Sequence, residues 1–354
     1  MGYVALIAGV TGVTGRNLAL HLQSCERWDT VYGASRRPCG LGGKVKDLPM
    51  DLSNKASLVD TLKGAPDVTH LFFCAYRPTG DAAKDVDANF GMFRDLIEAA
   101  EEAGLQLQHV SFLSGTKWYG NHIGPIKTPS KEDDPRAMTP NFYYDMEDYC
   151  IARVGAGADW TWSSVRPNPV CGFSTGSAMN LTMTIAVYAS ICKEIGLPFR
   201  FPGSPQAYNA LLEVLDADLL ACSMEYISTK PHAGNTSYNI SNGDVFRWCE
   251  VWPKLAAFFG LPLAEPQKFS MTTLMAYHEW VWQKCVEKHD LSKEVASYKD
   301  VATWGFGDWV FGQEKDWFSD VNKLRRTGFQ EQNLDSAEMF LRQFKELRAA
   351  KLIP

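Results

Sequence analysis

The 354-residue chain lacks the features that would assign it to several large classes of protein. It has no excess of basic residues, because 35 Lys and Arg stand against 41 Asp and Glu; the net charge of −6 argues against nucleic-acid binding. No apolar run approaches the roughly 18 residues that span a membrane. The first strand-like segment begins at Tyr3, so we expect no signal peptide ahead of the fold.

Cysteine and histidine occur without the spacing that binds metals. The nine cysteines include no CxxC pair, and a scattered, odd-numbered set fits inert thiols in a reducing compartment. We therefore expect a cytoplasmic protein. The seven histidines never pair at ligand spacing, so the sequence predicts no metal site.

What the chain does have, at its start, is a strand followed by closely spaced glycines. The apolar segment Tyr3–Ala8 leads into Gly9, Gly12 and Gly15, ahead of a helical stretch. Glycines at this spacing let the backbone approach a pyrophosphate, whose charge the helix N-terminus stabilises. The expected dinucleotide-binding residues of this loop are Gly9, Thr11, Gly12, Val13 and Gly15.

The end of the second strand indicates which dinucleotide binds. It reads Ser35-Arg36-Arg37, where an NAD enzyme usually has Asp or Glu for the ribose 2′-hydroxyl. Two arginines would hold a 2′-phosphate instead, so the sequence predicts NADPH/NADP+ as the cofactor. The alternative is a glycine-rich turn beside two solvated arginines.

Strand-like and helix-like segments alternate through the first half of the chain. This pattern predicts an α/β fold with a Rossmann-type, doubly wound parallel sheet. Residues 1–172 are expected to form an NADP-binding domain with the catalytic residues. Residues 173–354 are expected to form a smaller, mainly helical substrate-capping part, interleaved with late strands of the sheet. The expected strands are 46–51, 68–74, 107–113 and 160–166, and the expected helices are 53–62, 85–103, 143–154, 177–194 and 213–227.

The candidate catalytic residues follow the fifth strand and open the next helix, at the sheet edge where doubly wound folds place reactive groups. Ordinary short-chain dehydrogenases carry Tyr-x-x-x-Lys on that helix, and the lysine lowers the pKa of the tyrosine. Here Glu147 and Asp148 stand four residues after Tyr143 and Tyr144. The usual lysine is therefore missing.

Lys117 is the cation placed to replace that lysine, because it follows the fifth strand directly. A lysine at this position could equally be an exposed surface residue. A literal Tyr-x-x-x-Lys does occur at Tyr226 and Lys230, but it lies well past the predicted catalytic edge, and we interpret it as chance.

Three segments around these positions closely resemble the progesterone 5β-reductase/iridoid synthase-like (PRISE) family. They are Gly115–Gly120 (GTKWYG), Glu132–Arg136 (EDDPR) and Asn141–Asp148 (NFYYDMED). The resemblance covers almost the whole chain. Members of this family are atypical extended short-chain dehydrogenases/reductases that reduce activated carbon–carbon double bonds with NADPH.

The resemblance implies specific residue roles. Tyr144 and Lys117 would be the catalytic pair, and Tyr76, Trp118, His122 and Ile123 would lie near the substrate. The family commonly has tryptophan where Tyr76 stands and phenylalanine near Ile123, so steroid or iridoid substrates do not carry over. The expected cofactor site comprises Gly9, Thr11, Gly12, Val13, Gly15, Ser35, Arg36, Arg37, Asp51, Leu52, Cys74, Ala75, Ser114, Pro169 and Val170.

The implied activity is NADPH-dependent reduction of the C=C bond of a small apolar enal or enone. The β-carbon receives hydride, and a tyrosine hydroxyl stabilises the enolate oxygen. The alternatives are a carbonyl or imine reductase or a cyclisation catalyst on the same scaffold, and a non-catalytic NADP-sensing regulator. A homodimer is expected by the same resemblance.

Overall fold

A parallel sheet forms the centre of the computed structural model, which describes residues 2–177 and 179–354. Among these residues, seven strands pair in the order β11-β6-β5-β4-β1-β2-β3. The strands are β1 (Tyr3–Ala8), β2 (Trp28–Ser35), β3 (Val45–Pro49), β4 (His70–Phe73), β5 (His109–Leu113), β6 (Thr161–Pro167), β7 (Val170–Cys171), β8 (Phe199–Arg200), β9 (Leu211–Leu212), β10 (Leu215–Asp216), β11 (Thr236–Ile240), β12 (Phe246–Arg247) and β13 (Leu263–Ala264).

Helices cover both faces of this sheet and build most of the second half of the chain. They are α1 (Val13–Ser24), α2 (Lys55–Lys63), α3 (Ala82–Glu102), α4 (Phe142–Gly155), α5 (Leu181–Glu194), α6 (Pro205–Asn209), α7 (Ala217–Thr229), α8 (Trp248–Phe259), α9 (Met271–Met275), α10 (Glu279–Lys288), α11 (Tyr298–Val301), α12 (Trp304–Phe311), α13 (Asn322–Arg326) and α14 (Ser336–Ala349). Short 3₁₀ helices lie at Thr116–Tyr119, Pro231–Ala233 and Lys293–Val295.

The alternation of side chains along β1 shows why the sheet is covered on both sides. Ala5 and Ile7 pack into the core that α1 and α7 cover, whereas Leu6 and Ala8 pack into the core that α2 and α3 cover. All four side chains are fully buried. Near-continuous apolar strands are typical of parallel sheets covered on both faces. The doubly wound Rossmann-type fold predicted from the sequence is confirmed.

The second half of the chain forms an aromatic core and also returns to the sheet. Trp252 stacks on Phe199 with ring centroids 4.3 Å apart, and Phe311 packs against both Trp248 and Trp252. From the same half, β11 pairs with β6 at the sheet edge, and α7 packs on α1. No helix in the described part of the chain has the length and apolar character needed to cross a membrane.

Two predicted helices begin later than the sequence pattern indicates. Helix α5 starts at Leu181, after Asn180 accepts a hydrogen bond from the backbone N–H of Met183. The helix expected over 213–227 starts at Ala217, because the carboxylate of Asp216 caps it. The residues before that cap form a buried turn and β10. The helical spacing alone did not reveal these caps.

Candidate active site

The three glycines after β1 differ in how closely neighbouring backbone atoms approach them. Gly9 has φ +86°, and a Cβ there would lie 2.8 Å from the backbone of Ala75. A Cβ at Gly15 would lie 2.8 Å from the Cα of Val10. At Gly12, by contrast, a Cβ would meet only the Gly9 carbonyl at 3.6 Å. Gly9 and Gly15 are thus required for close packing, while Gly12 opens towards a ligand.

The N-terminus of α1 is arranged to accept an anion. Gly12 is its N-cap, no side chain caps it, and no acidic residue lies in its first turn. The adjoining backbone of β4 completes this edge, since the N–H of Cys74 donates to the carbonyl of Ala8 at 2.9 Å. Thr11 and Val13 flank Gly12 in this loop. Free N–H groups at a helix N-terminus suit a pyrophosphate.

The end of β2 presents two arginines that no described carboxylate pairs. Arg36 and Arg37 are exposed, and the Ser35 hydroxyl donates to the carbonyl of Arg37 at 2.5 Å. Hydrogen bonds from Ser53 lower the pKa of Asp51, and the charge of Arg36 lowers it further. Leu52 follows Asp51 and is partly buried beside the same edge. These residues form a cationic corner at the carboxyl end of β2 and β3.

The 3₁₀ helix Thr116–Tyr119 and the start of α4 are joined by one amide side chain. The Asn141 carboxamide oxygen accepts from the backbone N–H of Tyr143 at 3.1 Å. Its nitrogen donates to the carbonyl of Lys117 at 3.1 Å. The Ser114 hydroxyl, just before this helix, is bonded to Ser164 at 2.8 Å inside the sheet. Asn141 therefore fixes the distance between the segments that carry the candidate tyrosine and lysine.

The hydroxyl of Tyr144 is held by the backbone. It donates to the carbonyl of Trp118 at 2.6 Å and accepts from the N–H of Ala137 at 2.9 Å. Its ring meets Trp118 edge-to-face at 4.6 Å, and Arg136 lies over it at 5.0 Å. A hydroxyl bonded on both sides in this way closes the loop before α4 and is not free to meet a substrate oxygen.

The hydroxyl of Tyr143 lies beside the segment that follows β5, where a catalytic tyrosine was expected. It makes no hydrogen bond to any described residue and lies 3.8 Å from the position that a Cβ on Gly115 would occupy. Burial raises the pKa of Tyr143, and the nearby Tyr76 and Asp85 raise it further. The geometry therefore favours Tyr143 over Tyr144 as the tyrosine of the site.

Lys117 lies in the same group of side chains. Burial lowers its pKa, while the charge of Asp85 acts in the opposite direction. In residues 2–177 and 179–354, its ammonium group has no carboxylate within ion-pair distance. Lys117 is thus a half-buried cation, and Asp85 is the charged group that acts on both Lys117 and Tyr143.

Asp85 is a functional candidate that the sequence reasoning missed. Its carboxylate accepts from the Tyr76 hydroxyl at 3.3 Å and from both the N–H and the hydroxyl of Thr79, at 2.6 and 2.7 Å. Burial and Asp85 raise the pKa of Tyr76 to about 12, and the Tyr76 ring stacks on Phe142 at 5.9 Å. The feature that could have identified Asp85 from the sequence is its position in the first turn of α3, the helix that follows β4.

The remaining predicted substrate residues divide into two groups. Trp118 is buried between Arg166 and Arg136, whose guanidinium carbons lie 3.7 and 5.1 Å from its ring centroid. Trp118 forms an apolar cluster with Tyr119 and Tyr144, and Tyr143 packs against this cluster. His122 and Ile123 are exposed in the turn after the 3₁₀ helix, and burial together with the charge of Lys117 lowers the pKa of His122.

Comparison with known proteins now decides the family. The sequence profile of the PRISE-like Rossmann-fold domain matches residues 43–354. The chain belongs to this family. It is 34% identical over 343 residues to the (S)-8-oxocitronellyl enol synthase of Catharanthus roseus, covering 92% of this chain and 86% of that protein. It is 32% identical over 369 residues to the 3-oxo-Delta(4,5)-steroid 5-beta-reductase of Arabidopsis thaliana, covering 99% and 93%.

Solved structures confirm the fold of this PRISE-like chain. The Bordetella bronchiseptica enzyme WbmG, in complex with NAD and UDP, superposes with a TM-score of 0.68 at 16% identity, covering 100% of this chain and 97% of that one. The UDP-glucose 4-epimerase of Thermotoga maritima gives a TM-score of 0.65 at 13% identity, with coverage of 98% and 99%. The PRISE-like chain is an oxidoreductase of the short-chain dehydrogenase/reductase type.

This PRISE-like site holds a carboxylate where ordinary relatives hold the helix lysine. Glu147, four residues after Tyr143, pairs with Arg166 at 3.1 Å and accepts from the Ser237 hydroxyl at 2.5 Å. The Arg166 side chain is 1% exposed and that of Glu147 is 12% exposed. The buried pair ties α4 to β6 and β11. Asp148 is turned outward and pairs with Arg136.

The open Gly12 position and the free arginines fit a dinucleotide. Of the expected contacts on the far side of the cofactor, Pro169 lies between β6 and β7, and Val170 is the first residue of β7. Elsewhere, Tyr226 and Lys230 lie on and just after α7, and the Tyr226 hydroxyl donates to the carbonyl of Thr327. The described residues contain no cluster of three or more His, Cys, Asp or Glu side chains arranged to hold a metal.

Proposed function

We propose that this chain reduces the C=C bond of a small apolar enal or enone with NADPH, using Tyr143 and Lys117. The observation that carries the proposal is the Tyr143 hydroxyl. It makes no hydrogen bond to any described residue, and it lies beside Gly115 at the carboxyl edge of the sheet. Asp85 acts on Tyr143 through its charge, and it acts in the same way on Lys117. This revises the expected pairing of Tyr144 with Lys117.

A reduced nicotinamide, when bound, supplies hydride to an electron-poor carbon. The chain must then stabilise the negative charge that develops on the carbonyl oxygen. The raised pKa of Tyr143 keeps its hydroxyl protonated, so it can donate to that oxygen. A preorganised donor of this kind contributes about 3–4 kcal/mol. The charge of Lys117 stabilises the same oxyanion through space.

The release of an enolate fits this arrangement. Tyr143 has no lysine on its own helix turn and no described hydroxyl to relay a proton. Carbonyl reduction needs a proton at oxygen, whereas reduction of a conjugated C=C bond leaves an enolate that can be protonated in solvent. One relative is named an enol synthase, which supports this product type for the present chain.

Aromatic side chains near the site support an apolar substrate. The Trp317 indole donates to the Thr116 hydroxyl at 3.1 Å, one residue before Lys117. Trp309 packs on Trp317 at 4.8 Å and is only partly buried. The capping part of the chain thus brings an aromatic surface to the catalytic edge, as an apolar ligand site requires.

The cofactor proposal is NADPH in preference to NADH. Arg36 and Arg37 are exposed, unpaired with any described carboxylate, and placed at the end of β2, where the adenosine ribose lies in dinucleotide-binding folds. Guanidinium groups bind phosphate in bidentate fashion. The end of β2 itself reads Ser35, Arg36 and Arg37, with no carboxylate at the position where NAD enzymes usually have one.

The test is a panel of small enals and enones with NADPH, with the products identified by mass and NMR. We expect saturated carbonyl products and oxidation of NADPH. Allylic alcohols would point to a carbonyl reductase instead. Tight NADPH binding without NADPH oxidation across the panel would favour a sensor. A matched Tyr143→Phe variant should bind NADPH normally and lose turnover.

A further inference from the structure

A buried carboxyl group with neutral partners lies on the far side of the expected cofactor loop. Glu213, in the turn between β9 and β10, is 1% exposed. Its carboxylate accepts hydrogen bonds from the Asn168 side-chain amide and, at 3.0 Å, from the backbone N–H of Ser319. It has no ion-pair partner among the described residues. A buried carboxyl group without a cation is costly unless it has a function or a dense set of donors.

Asn168 connects this carboxyl group to the catalytic segment. Its side-chain oxygen accepts from the Thr116 hydroxyl at 2.8 Å. The Thr116 hydroxyl oxygen accepts in turn from the indole of Trp317 at 3.1 Å and from the amide of Asn121 at 3.1 Å. Asn168 also lies directly before Pro169, and Thr116 directly before Lys117. One carboxyl group thereby joins the cofactor loop, the catalytic segment and the capping part.

Burial raises the pKa of Glu213 to about 7, against the lowering effect of hydrogen bonds from Asn168, Ser319 and Ser241. The charged and titratable groups on the surrounding segments interact with partners other than Glu213. Arg166 pairs with Glu147, and Asp216 pairs with Arg342. Tyr119 donates to Asn239, Asp316 accepts from the N–H of Leu211, Asp320 accepts from the N–H of Asn322, and the charge of Asp85 acts on Lys117.

We propose that Glu213 is a positioning residue whose charged form holds Asn168, and through it the Pro169–Val170 loop and Thr116, in the geometry that binds the dinucleotide. The proposal rests on the NADPH binding proposed above. A charged acceptor makes the bond from Asn168 shorter and about twice as strong as a neutral one. Protonation of Glu213 loosens this bond, so cofactor binding weakens as the pH falls through neutrality.

The effect on folding has the opposite sign. The folded-state pKa of Glu213 lies above its ordinary value of 4.5, so the folded chain binds the proton more tightly than the unfolded chain. The contribution of this group to stability is full below pH 4.5 and is lost as the pH rises to about 7. A purely structural role predicts only this stability effect, whereas a positioning role also predicts a change in cofactor affinity.

The experiment measures the Kd of NADPH from the fluorescence of the bound reduced nicotinamide, between pH 5.5 and 8.5. It compares the wild-type chain with Glu213→Gln and with a control, Asp244→Asn. Asp244 is a half-buried carboxyl group whose pKa is also raised by desolvation, but its partner is Ser336 in the capping part. Titration of the NADPH 2′-phosphate, near pH 6, is common to all three proteins and cancels in the ratio of Kd values.

We expect the Kd of the wild type, relative to that of Glu213→Gln, to rise about three- to tenfold from pH 8 to pH 6, and Asp244→Asn to follow the wild type. If Glu213→Gln does not fold, Asn168→Ala removes the same connection and should lose the same pH dependence. NADPH binding whose pH dependence neither variant alters would overturn this inference alone. A wild-type chain that binds no NADPH at pH 8 would overturn the proposed function and this inference together.

Discussion

The glycine loop and the tyrosine–lysine edge lie at the same end of one sheet, yet different interactions determine their geometry. At the loop, backbone sterics decide the geometry, because a Cβ at Gly9 or Gly15 would collide with neighbouring backbone. At the edge, side chains decide it, because Asn141 and the Arg166–Glu147 pair orient α4. Backbone requirements of this kind are local and can be recognised in the sequence. The orientation of a side chain depends on partners that are far away along the chain.

The strongest test of the edge replaces its buried carboxylate with the lysine of ordinary relatives. Glu147→Lys leaves Arg166, which is 1% exposed, without its partner and adds a like charge beside it. Breaking a buried pair costs about 3–5 kcal/mol. We expect a loss of that size in chemical denaturation, without a gain in activity. Glu147→Gln, which keeps the shape, is the control and should lose less; a stable, active Glu147→Lys would contradict this account of the missing lysine.

The two adjacent tyrosines provide the next test. Tyr143→Phe should lower kcat by about 10²–10³-fold, because it removes the free hydroxyl that we assign to the enolate oxygen. Tyr144→Phe should leave kcat nearly unchanged but lower the unfolding free energy by about 1–3 kcal/mol, since Trp118 and Ala137 lose their partner. Steady-state kinetics and urea denaturation separate the two effects. The reverse pattern would restore Tyr144 as the catalytic residue.

At the loop side, the arginines should affect one cofactor more than the other. Arg36→Ala with Arg37→Ala removes charged donors worth about 1.5–3 kcal/mol each, so NADPH affinity should fall by at least about a hundredfold. NADH affinity should change little. Titration of both cofactors with both proteins measures this, and equal weakening would rule out a clamp on the 2′-phosphate.

The smallest expected effect is the difference between alanine substitutions at Gly15 and at Gly12. Gly15→Ala places a methyl group against the backbone of Val10 and should cost about 1–3 kcal/mol of stability. Gly12→Ala meets only the Gly9 carbonyl, at an ordinary van der Waals distance of 3.6 Å, and should leave the melting temperature nearly unchanged while weakening NADPH binding. Thermal melts with and without NADPH test both. Equal destabilisation by the two variants would show that the loop is not divided in this way.

The sequence predicted the sheet well for identifiable reasons. Apolar strands such as β4 and the glycine spacing depend on short-range constraints that one chain displays directly. The sequence could not show which of Tyr143 and Tyr144 has its hydroxyl free at the site. Neighbouring helical residues point about 100° apart, and tertiary contacts decide which hydroxyl is bonded to the backbone. The helix expected over 213–227 is present but begins at Ala217 for a similar reason, since the buried Glu213 turn before it is stabilised by Asn168 and Ser319.

Asn141 has a consequence for how such a protein can change. Because its amide ties the start of α4 back to Lys117, the chain between them is a closed loop with both ends anchored. The largely exposed residues 122–129 can lengthen, shorten or change sequence without moving the catalytic pair, since doubling a flexible loop costs only about 0.6 kcal/mol. The chemistry and the substrate-facing surface are thereby mechanically separated, and selectivity can diverge while the reaction stays the same.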